Sequence, residues 1–384
     1  MRNLTVENIV KAVEGTLIGN INDPGMTVSE VCMDSRKVVP GCLFIAVKGE
    51  RVDSHKFIPE VVKNGAAAVI GEVDTSCDVP YIKVESGFTA LEKLAGFYRS
   101  GMELPIVAIT GSVGKTSTKE AVAAVLSAKY NVLKTAGNLN NNIGLPQTVL
   151  SIRDEHSAAV VEMGISHFDE MERMSLSAKP DIAVITNIGV SHIEYLGSRE
   201  GILKEKSHIF DHLKKDGIAV VNGDDDLLSK LDESRVFSHR IYKYGMKEDA
   251  LDAKAVNVKN HGLKGSDFDV RIIRDGKEKT IKSLHTPLPG DHMVMNGVCA
   301  ALIGDLLGLN EDEIIKGLRE NKGMAGRSNI INTDKYTIID DCYNANPAST
   351  EAALELLKLA DTRKVAILGD MYELGEGERQ MHAE

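Results

Sequence analysis

The sequence predicts an α/β protein of more than one domain, centred on a doubly wound, mostly parallel sheet. Three observations predict it. A chain of 384 residues is too long for one ordinary core. The apolar runs IVAIT (106–110), AAVVEM (158–163), IAVITNI (182–188) and IAVVN (218–222) are continuous, as in strands covered on both faces, and helix-like segments separate them. A glycine–lysine loop follows the first run directly, where such sheets carry phosphate sites.

Composition narrows the function. An apolar fraction of 43% with 26% charged residues is that of a folded globular chain. A net charge of −11 argues against a nucleic-acid binder, which needs a basic surface, but leaves room for a phosphorylated small substrate. The first residues, MRNLTVENIVKAVEG, carry scattered charges and no apolar core of a signal peptide, and no run reaches membrane-spanning length. The cysteines Cys32, Cys42, Cys77, Cys299 and Cys342 form no close pair, which reads as reduced thiols and a cytoplasmic chain.

The first region, 1–85, mixes short strands and turns. LFIAVKG (43–49) and AAAVIG (66–71) read as strands, with a helix over 57–66 between them closed by a glycine. The second region, 86–320, holds the four buried runs and their crossover helices. From 250 to 287 apolar and polar residues alternate around turns at His261-Gly262 and Asp275-Gly276, predicting an antiparallel addition. Helical text returns over 292–320. A third region, 321–384, begins a βαβ unit with strands TIIDD (337–341) and KVAILGD (364–370) around a helix at 348–360. Two strands and one or two helices cannot bury a sheet, so this region reads as cut short.

In IVAITGSVGKTSTKEAV, Gly111, Ser112, Val113, Gly114, Lys115 and Thr116 join a buried strand to a helix. Such a loop turns backbone N–H groups and the helix dipole toward an anion. Lys115 would reach the terminal phosphates of ATP, and Thr116 would offer an oxygen to Mg²⁺. The general loop has four residues between its glycines, whereas Gly111 and Gly114 enclose two.

The other strand ends carry polar residues where ligands of open sheets bind. Glu162 stands one residue inside an apolar strand end, where a lone carboxylate is costly without a cation or donor. Alone it reads as a helix cap; beside a nucleotide loop it reads as a Mg²⁺ ligand. TNIGVSHIEYLGS brings Asn187 and His192. A carboxylate attacking a γ-phosphate unites two anions, and a second metal would screen that repulsion, with His192 the best-placed further ligand. His192 by itself reads as a core histidine, and Lys206 in GILKEKSHIF as an ordinary exposed helix lysine.

TGSVGKTST, TAGNLNNNIGLPQTVL (135–150), VVEMG, TNIGVSHIEYLGS with KEKSHIF, LPGDHMVMNGVCAA (288–301), AGRSNI (325–330) and DDCYNANP (340–347) occur in that order. Together they resemble the motif series of the Mur ligases, ATP-dependent enzymes that form amide bonds through acyl phosphates. The resemblance implies a three-domain Mur ligase architecture: a small N-terminal α/β domain (1–85) that recognises the UDP substrate, a central doubly wound P-loop ATPase domain (86–320), and a truncated Rossmann-like domain (321–384) for the amine. DSRKVVPGCLFIAVKGERVDSHKFI (34–58) is similar to the UDP-recognising domain of the dipeptide- and tripeptide-adding members. GNLNNNIGLP, EMG, YNANP and LGDMYELGE (368–376) resemble the member that joins D-alanyl-D-alanine to a UDP-N-acetylmuramoyl tripeptide, and no DNPR-type motif of its neighbour is present.

By resemblance, Gly111 to Ser117 hold the ATP phosphates, and Thr116 and Glu162 bind the first Mg²⁺. His192 helps bind a second, beside a Lys206 carbamylated by CO₂. Asn296 contacts adenine, and Arg327 and Asp341 reach the nucleotide from a hinge. Asn138 lies near the γ-phosphate or the substrate carboxylate, Ser35 and Arg36 lie at the uridine side, and Asn344, Ala345 and Asn346 at the dipeptide side. By their own spacing, Asn296 also reads as a helix-surface amide and Asp341 as a strand-end cap. The expected protein is a monomer that does not insert into membranes. Ser117 stands where threonine is commoner, and Phe168 and Asp169 where the family often has a glycine.

Overall fold

The computed structural model of the chain describes residues 1, 3–19, 23, 25–236 and 239–383. The chain divides into two compact units. One comprises Met1–Leu104, Thr135–Glu155 and Arg173–Lys179; the other comprises Pro105–Lys134, His156–Glu172 and Pro180–Glu384.

The first unit is built on a sheet of the strands Thr16–Ile18, Tyr81–Lys83, Ala68–Gly71, Leu43–Ile45 and Val31–Cys32, in that order. All neighbours are parallel except the edge strand Thr16–Ile18. The expected strands and the helix (observed as Ile58–Lys63) are present, and Phe44, Val69, Tyr81, Ile58 and Val61 pack into one core. The helix Gly87–Ser100 starts at Ser86, whose hydroxyl accepts the Thr89 N–H. On this helix the fully buried Arg99 donates to the carbonyls of Ala178 and Met102, which satisfies a cation that burial would otherwise penalise.

In the second unit, nine strands form one sheet among the described residues. Their order is Lys277–Thr286, Ser266–Arg274, Ala253–Asn260, Arg240–Gly245, Ile218–Asn222, Ile182–Ile185, Ile106–Thr110, Ala158–Glu162 and Val132–Lys134. The four apolar runs are the parallel centre, as their unbroken hydrophobicity requires. Ile106–Thr110, earliest in the chain, lies between Ala158–Glu162 and Ile182–Ile185, so the chain reverses direction across it. Such a reversal leaves a crevice at the carboxyl ends of three adjacent strands.

The alternating text at 250–287 is the antiparallel addition expected, with turns where His261-Gly262 and Asp275-Gly276 put them. Ser266–Arg274 alternates buried and half-buried residues along its length, turning Phe268, Val270 and Ile272 to the core. Helices Lys115–Leu126, Asp291–Leu306 and Glu311–Arg319 cover the sheet through Val122, Val125, Val298, Leu302, Ile314 and Leu318. Each such buried aliphatic side chain contributes roughly 1.5–3 kcal/mol.

The third region departs from expectation. Thr337–Asp340 pairs antiparallel with Asn329–Asn332, a strand the βαβ reading did not include. KVAILGD (364–370) forms no strand, and Ile367 is 95% exposed. An apolar run becomes a strand only where a neighbouring backbone completes its hydrogen bonds, and none does so among the described residues. The helix between them is present as Pro347–Lys358.

Candidate active site

The Ile106–Thr110 strand ends in a loop whose backbone only glycine adopts readily, with Gly111 at φ 152° and Gly114 at φ 81°. Gly114 leads into the helix Lys115–Leu126, whose free N–H groups form the positive end of its dipole. The loop is sewn to the end of the neighbouring strand. Thr186 Oγ1 donates to the Val113 carbonyl at 2.6 Å, and Asn187 Oδ1 accepts the Val113 N–H at 2.8 Å. The Asn187 carbonyl accepts the Ser112 N–H at 3.0 Å, and Ser112 Oγ accepts the Gly189 N–H at 2.9 Å. The Ile188 peptide is gripped from both sides: Asp225 accepts its N–H at 2.9 Å, and Arg199 donates to its carbonyl at 3.0 and 2.8 Å.

Lys115 folds back on the loop, its Nζ donating to the Gly111 carbonyl at 2.9 Å. Burial lowers its pKa, Glu162 opposes that shift, and Arg327 reinforces it. Glu162 is 2% exposed and sits in register with Ile109. Lys119, one helical turn beyond Lys115, brings its Nζ within 3.8 Å of the Glu162 carboxylate and 3.2 Å of Glu120. Sequence reading missed Lys119. Its spacing of four from Lys115, on a helix facing a carboxylate strand, was the available signal.

Lys206 is 1% exposed, which overturns its reading as an exposed helix lysine: its side of the helix Arg199–Ser207 faces the interior. Burial, and then the charge of Lys115, push its pKa well down, while Glu205 pulls the other way. The buried Glu205 carboxylate accepts the N–H groups of Met171 at 2.9 Å and Asp169 at 3.1 Å. His192 adopts φ 62° and places Nδ1 2.5 Å from Glu373 Oε2. Burial lowers its pKa; Glu373 opposes this, and Lys115 and Lys206 add to it. Lys115, at the end of the Ile106–Thr110 strand's loop, thus interacts electrostatically with Glu162, Arg327, His192 and Lys206.

Ser112 and Thr116 are buried and Ser117 half-buried. Asn296 is buried on the helix Asp291–Leu306, where its Oδ1 accepts the Thr118 hydroxyl at 2.9 Å, so it is not a surface amide. The Arg327 guanidinium lies 4.2 Å from the centre of the Tyr343 ring. Asp341 accepts the Ser328 N–H at 3.1 Å, and burial raises its pKa against the pull of Arg327 and His292. Asn344 Oδ1 accepts the Ala345 N–H, whereas Asn346 caps the helix Pro347–Lys358 by accepting the Ser349 N–H at 3.0 Å. Ser35, Arg36 and Asn138 belong to the other compact unit. There Arg36 pairs with Asp34 at 2.7 Å, Ser35 is in the turn Ser35–Lys37, and Asn138 is exposed.

Among the described residues no three His, Cys, Asp or Glu side chains converge into a ready-made metal cage. Magnesium keeps several waters and takes one or two carboxylates together with substrate phosphates. Thr116, in the first turn after the loop, and Glu162, at the end of the adjoining strand, are both buried oxygen-bearing side chains.

A nucleotide loop of this form, with a buried carboxylate at the adjoining strand end and a half-buried histidine and a buried lysine on the helical segments that follow the next strand, defines a class. The Mur ligase middle domain matches residues 109–304, the Mur ligase glutamate ligase domain matches 326–384, and the catalytic domain of the Mur ligase family matches 27–99. The chain belongs to the Mur ligase family. It is 38% identical to the UDP-N-acetylmuramoyl-tripeptide–D-alanyl-D-alanine ligase of Bacillus subtilis (strain 168), an alignment covering 99% of this chain and 81% of that protein. Its fold is similar to a crystal structure of MurF from Acinetobacter baumannii, with a TM-score of 0.88 and 33% identity over 98% of this chain and 81% of that one. The MurF ligase of Thermotoga maritima, solved in complex with ADP, gives a TM-score of 0.81 at 31% identity over 92% and 80%.

Proposed function

We propose that the chain joins D-alanyl-D-alanine to a UDP-N-acetylmuramoyl tripeptide with ATP, forming an amide bond for peptidoglycan precursor synthesis. Its kinship with ligases of that name supports the substrates. The observation that carries the chemistry is the cluster of Lys115, Glu162, His192 and Lys206 beside the phosphate loop.

The terminal carboxylate of the tripeptide attacks the γ-phosphorus; a new oxygen–phosphorus bond forms, the bond to the β-phosphate breaks, and ADP leaves. The dipeptide amine then attacks the acyl carbon and phosphate departs, with the amine proton lost to solvent or a base. Lys115, which otherwise bonds the loop's own carbonyls, turns its ammonium to the phosphates. Thr116 and Glu162 would hold one Mg²⁺, and His192 with carbamylated Lys206 a second; bound there, magnesium screens the charge of the phosphates. Burial and the charge of Lys115 lower the pKa of Lys206 and so favour its neutral amine, the form that attacks CO₂. The resulting carbamate would be an anion that Lys115 attracts.

Recognition of the UDP moiety is assigned to 1–85 with Ser35 and Arg36, ATP binding to 86–320, and the amine substrate to 321–384 with Asn344 and Asn346. Asn138 would sit near the γ-phosphate or the substrate carboxylate, Asn296 near adenine, and Arg327 and Asp341 beside the nucleotide. The enzyme would work as a cytoplasmic monomer.

Phosphate release measured with purified substrates tests the reading. Release requiring both the tripeptide and D-alanyl-D-alanine is expected, and dipeptide-independent release would point to an ATPase. Lys206→Ala should lose turnover and regain part of it with added short-chain carboxylates. Unchanged turnover in that variant would reject the carbamate.

A further inference from the structure

Arg199 opens the helix Arg199–Ser207, at the end where the helix dipole disfavours a cation. Its guanidinium is committed elsewhere. Nε and Nη2 both donate to the Ile188 carbonyl, at 3.0 and 2.8 Å, while Nη1 donates to Asp226 Oδ2 at 3.0 Å and Nη2 pairs with Asp226 Oδ1. Asp225 takes the other side of the same peptide. Its Oδ2 accepts the Ile188 N–H at 2.9 Å, and its Oδ1 accepts the N–H groups of Leu227 and Leu228 at 3.0 and 2.9 Å. Both polar groups of the Ile188 peptide are thus tied to the turn that follows the strand Ile218–Asn222. The residues flanking Ile188 hold the phosphate loop: Asn187 accepts the N–H groups of Ser112 and Val113, and Gly189 donates to the Ser112 hydroxyl. Arg199 therefore acts on the loop at one remove.

We infer that Arg199 is a positioning residue for nucleotide binding, pinning the Ile188 peptide so that Asn187 and Gly189 keep Ser112 and Val113 in the shape the phosphates need. The inference rests on the ATP reading of the loop for what that shape serves. A cradle already fixed in its binding shape loses little freedom when the phosphates arrive, whereas a loosened one must be ordered at the expense of affinity. Arginine suits the task and lysine does not, because its planar fork grips a carbonyl along one edge and a carboxylate along another. The pair with Asp226 is partly exposed and contributes little by itself; its part is to orient the fork.

Three variants and two readouts test this. Arg199→Met keeps the length of the side chain without the fork, and Arg199→Lys keeps the charge alone. Arg240→Met is the control, since it breaks a 2.6 Å pair with Asp275 on a different strand. Calorimetric titration with ADP is run at a temperature where melting curves show every variant folded. Kd should rise about 10-fold in Arg199→Met and about fivefold in Arg199→Lys, and stay within about twofold of the parent in Arg240→Met. A merely structural role would lower the melting temperature and leave that Kd in place. The second readout is amide hydrogen exchange in the nucleotide-free protein. The Ser112 and Val113 amides, which end on Asn187, should exchange about 10-fold faster in Arg199→Met, while amides of the helix Asp291–Leu306 keep their rates. A Kd for Arg199→Met within about twofold of the parent would overturn the inference, as would loop amides that exchange at the parent's rate. Should Arg199→Met melt too early to titrate, a parental Kd and parental exchange in Arg199→Lys overturn it equally. If the parent binds no ADP, the nucleotide reading fails while the exchange rates still decide whether Arg199 holds the loop.

Discussion

Gly111 and Gly114 offer a graded test of how the phosphate loop is built. A Cβ on Gly111 would stand 1.9 Å from Thr186 Oγ1 and 3.2 Å from the Asn187 nitrogen, with φ at 152°. Gly111→Ala therefore imposes a backbone conformation reserved for glycine, costing about 1–3 kcal/mol. It also expels the Thr186 hydroxyl from its 2.6 Å bond to Val113, worth about 1 kcal/mol. The sum is about 2–4 kcal/mol, or roughly 30- to 1,000-fold if it falls on nucleotide affinity. Gly114 shares the positive φ, at 81°, but the nearest atom to its Cβ would be Thr118 Oγ1 at 4.0 Å. Gly114→Ala should cost only the left-handed strain, about 1–2 kcal/mol. Calorimetric titration with ADP and thermal melting of the nucleotide-free protein measure the two channels by which the cost can appear. Gly111→Ala should lose more than Gly114→Ala when both channels are added. If Gly111→Ala matches the parent in both, or Gly114→Ala is the worse, the loop is not held as described.

Thr118→Val leaves the buried Asn296 carbonyl without its 2.9 Å donor and should cost about 1–3 kcal/mol in urea unfolding; an unchanged midpoint would show that the bond is replaceable. Lys206 has a folded-state pKa below its ordinary 10.5, so between those values the folded chain binds fewer protons than the unfolded one. Its contribution is most favourable above about 10.5 and is lost as pH falls through the lowered value. In carbonate-free buffer, melting temperature should thus rise more steeply with alkaline pH in the parent than in Lys206→Met. Parallel curves would place the Lys206 amine in water.

Much of the architecture was legible because it is local. Unbroken apolar runs identify strands covered on both faces, and alternation at 253–286 identifies the antiparallel addition, since each pattern states how many faces of a strand are buried. KVAILGD at 364–370 has the same apolar texture and forms no strand, because pairing depends on a neighbour that local text does not specify. The hairpin from Asn329 to Asp340 went unread although NIIN and TIID flank a polar turn.

The sequence by itself determined the phosphate loop, since two glycines, a lysine and a threonine between strand and helix leave few other geometries. It also placed Glu162 at a strand end and His192 in the segment that follows the next strand. Only the tertiary structure decided that Lys206 is buried beside Lys115, that Lys119 faces Glu162, and that Glu373 meets His192. A charged side chain looks the same in sequence whether solvent or protein surrounds it. Its surroundings are set by segments tens to hundreds of residues away, and they fix its proton affinity and its partners.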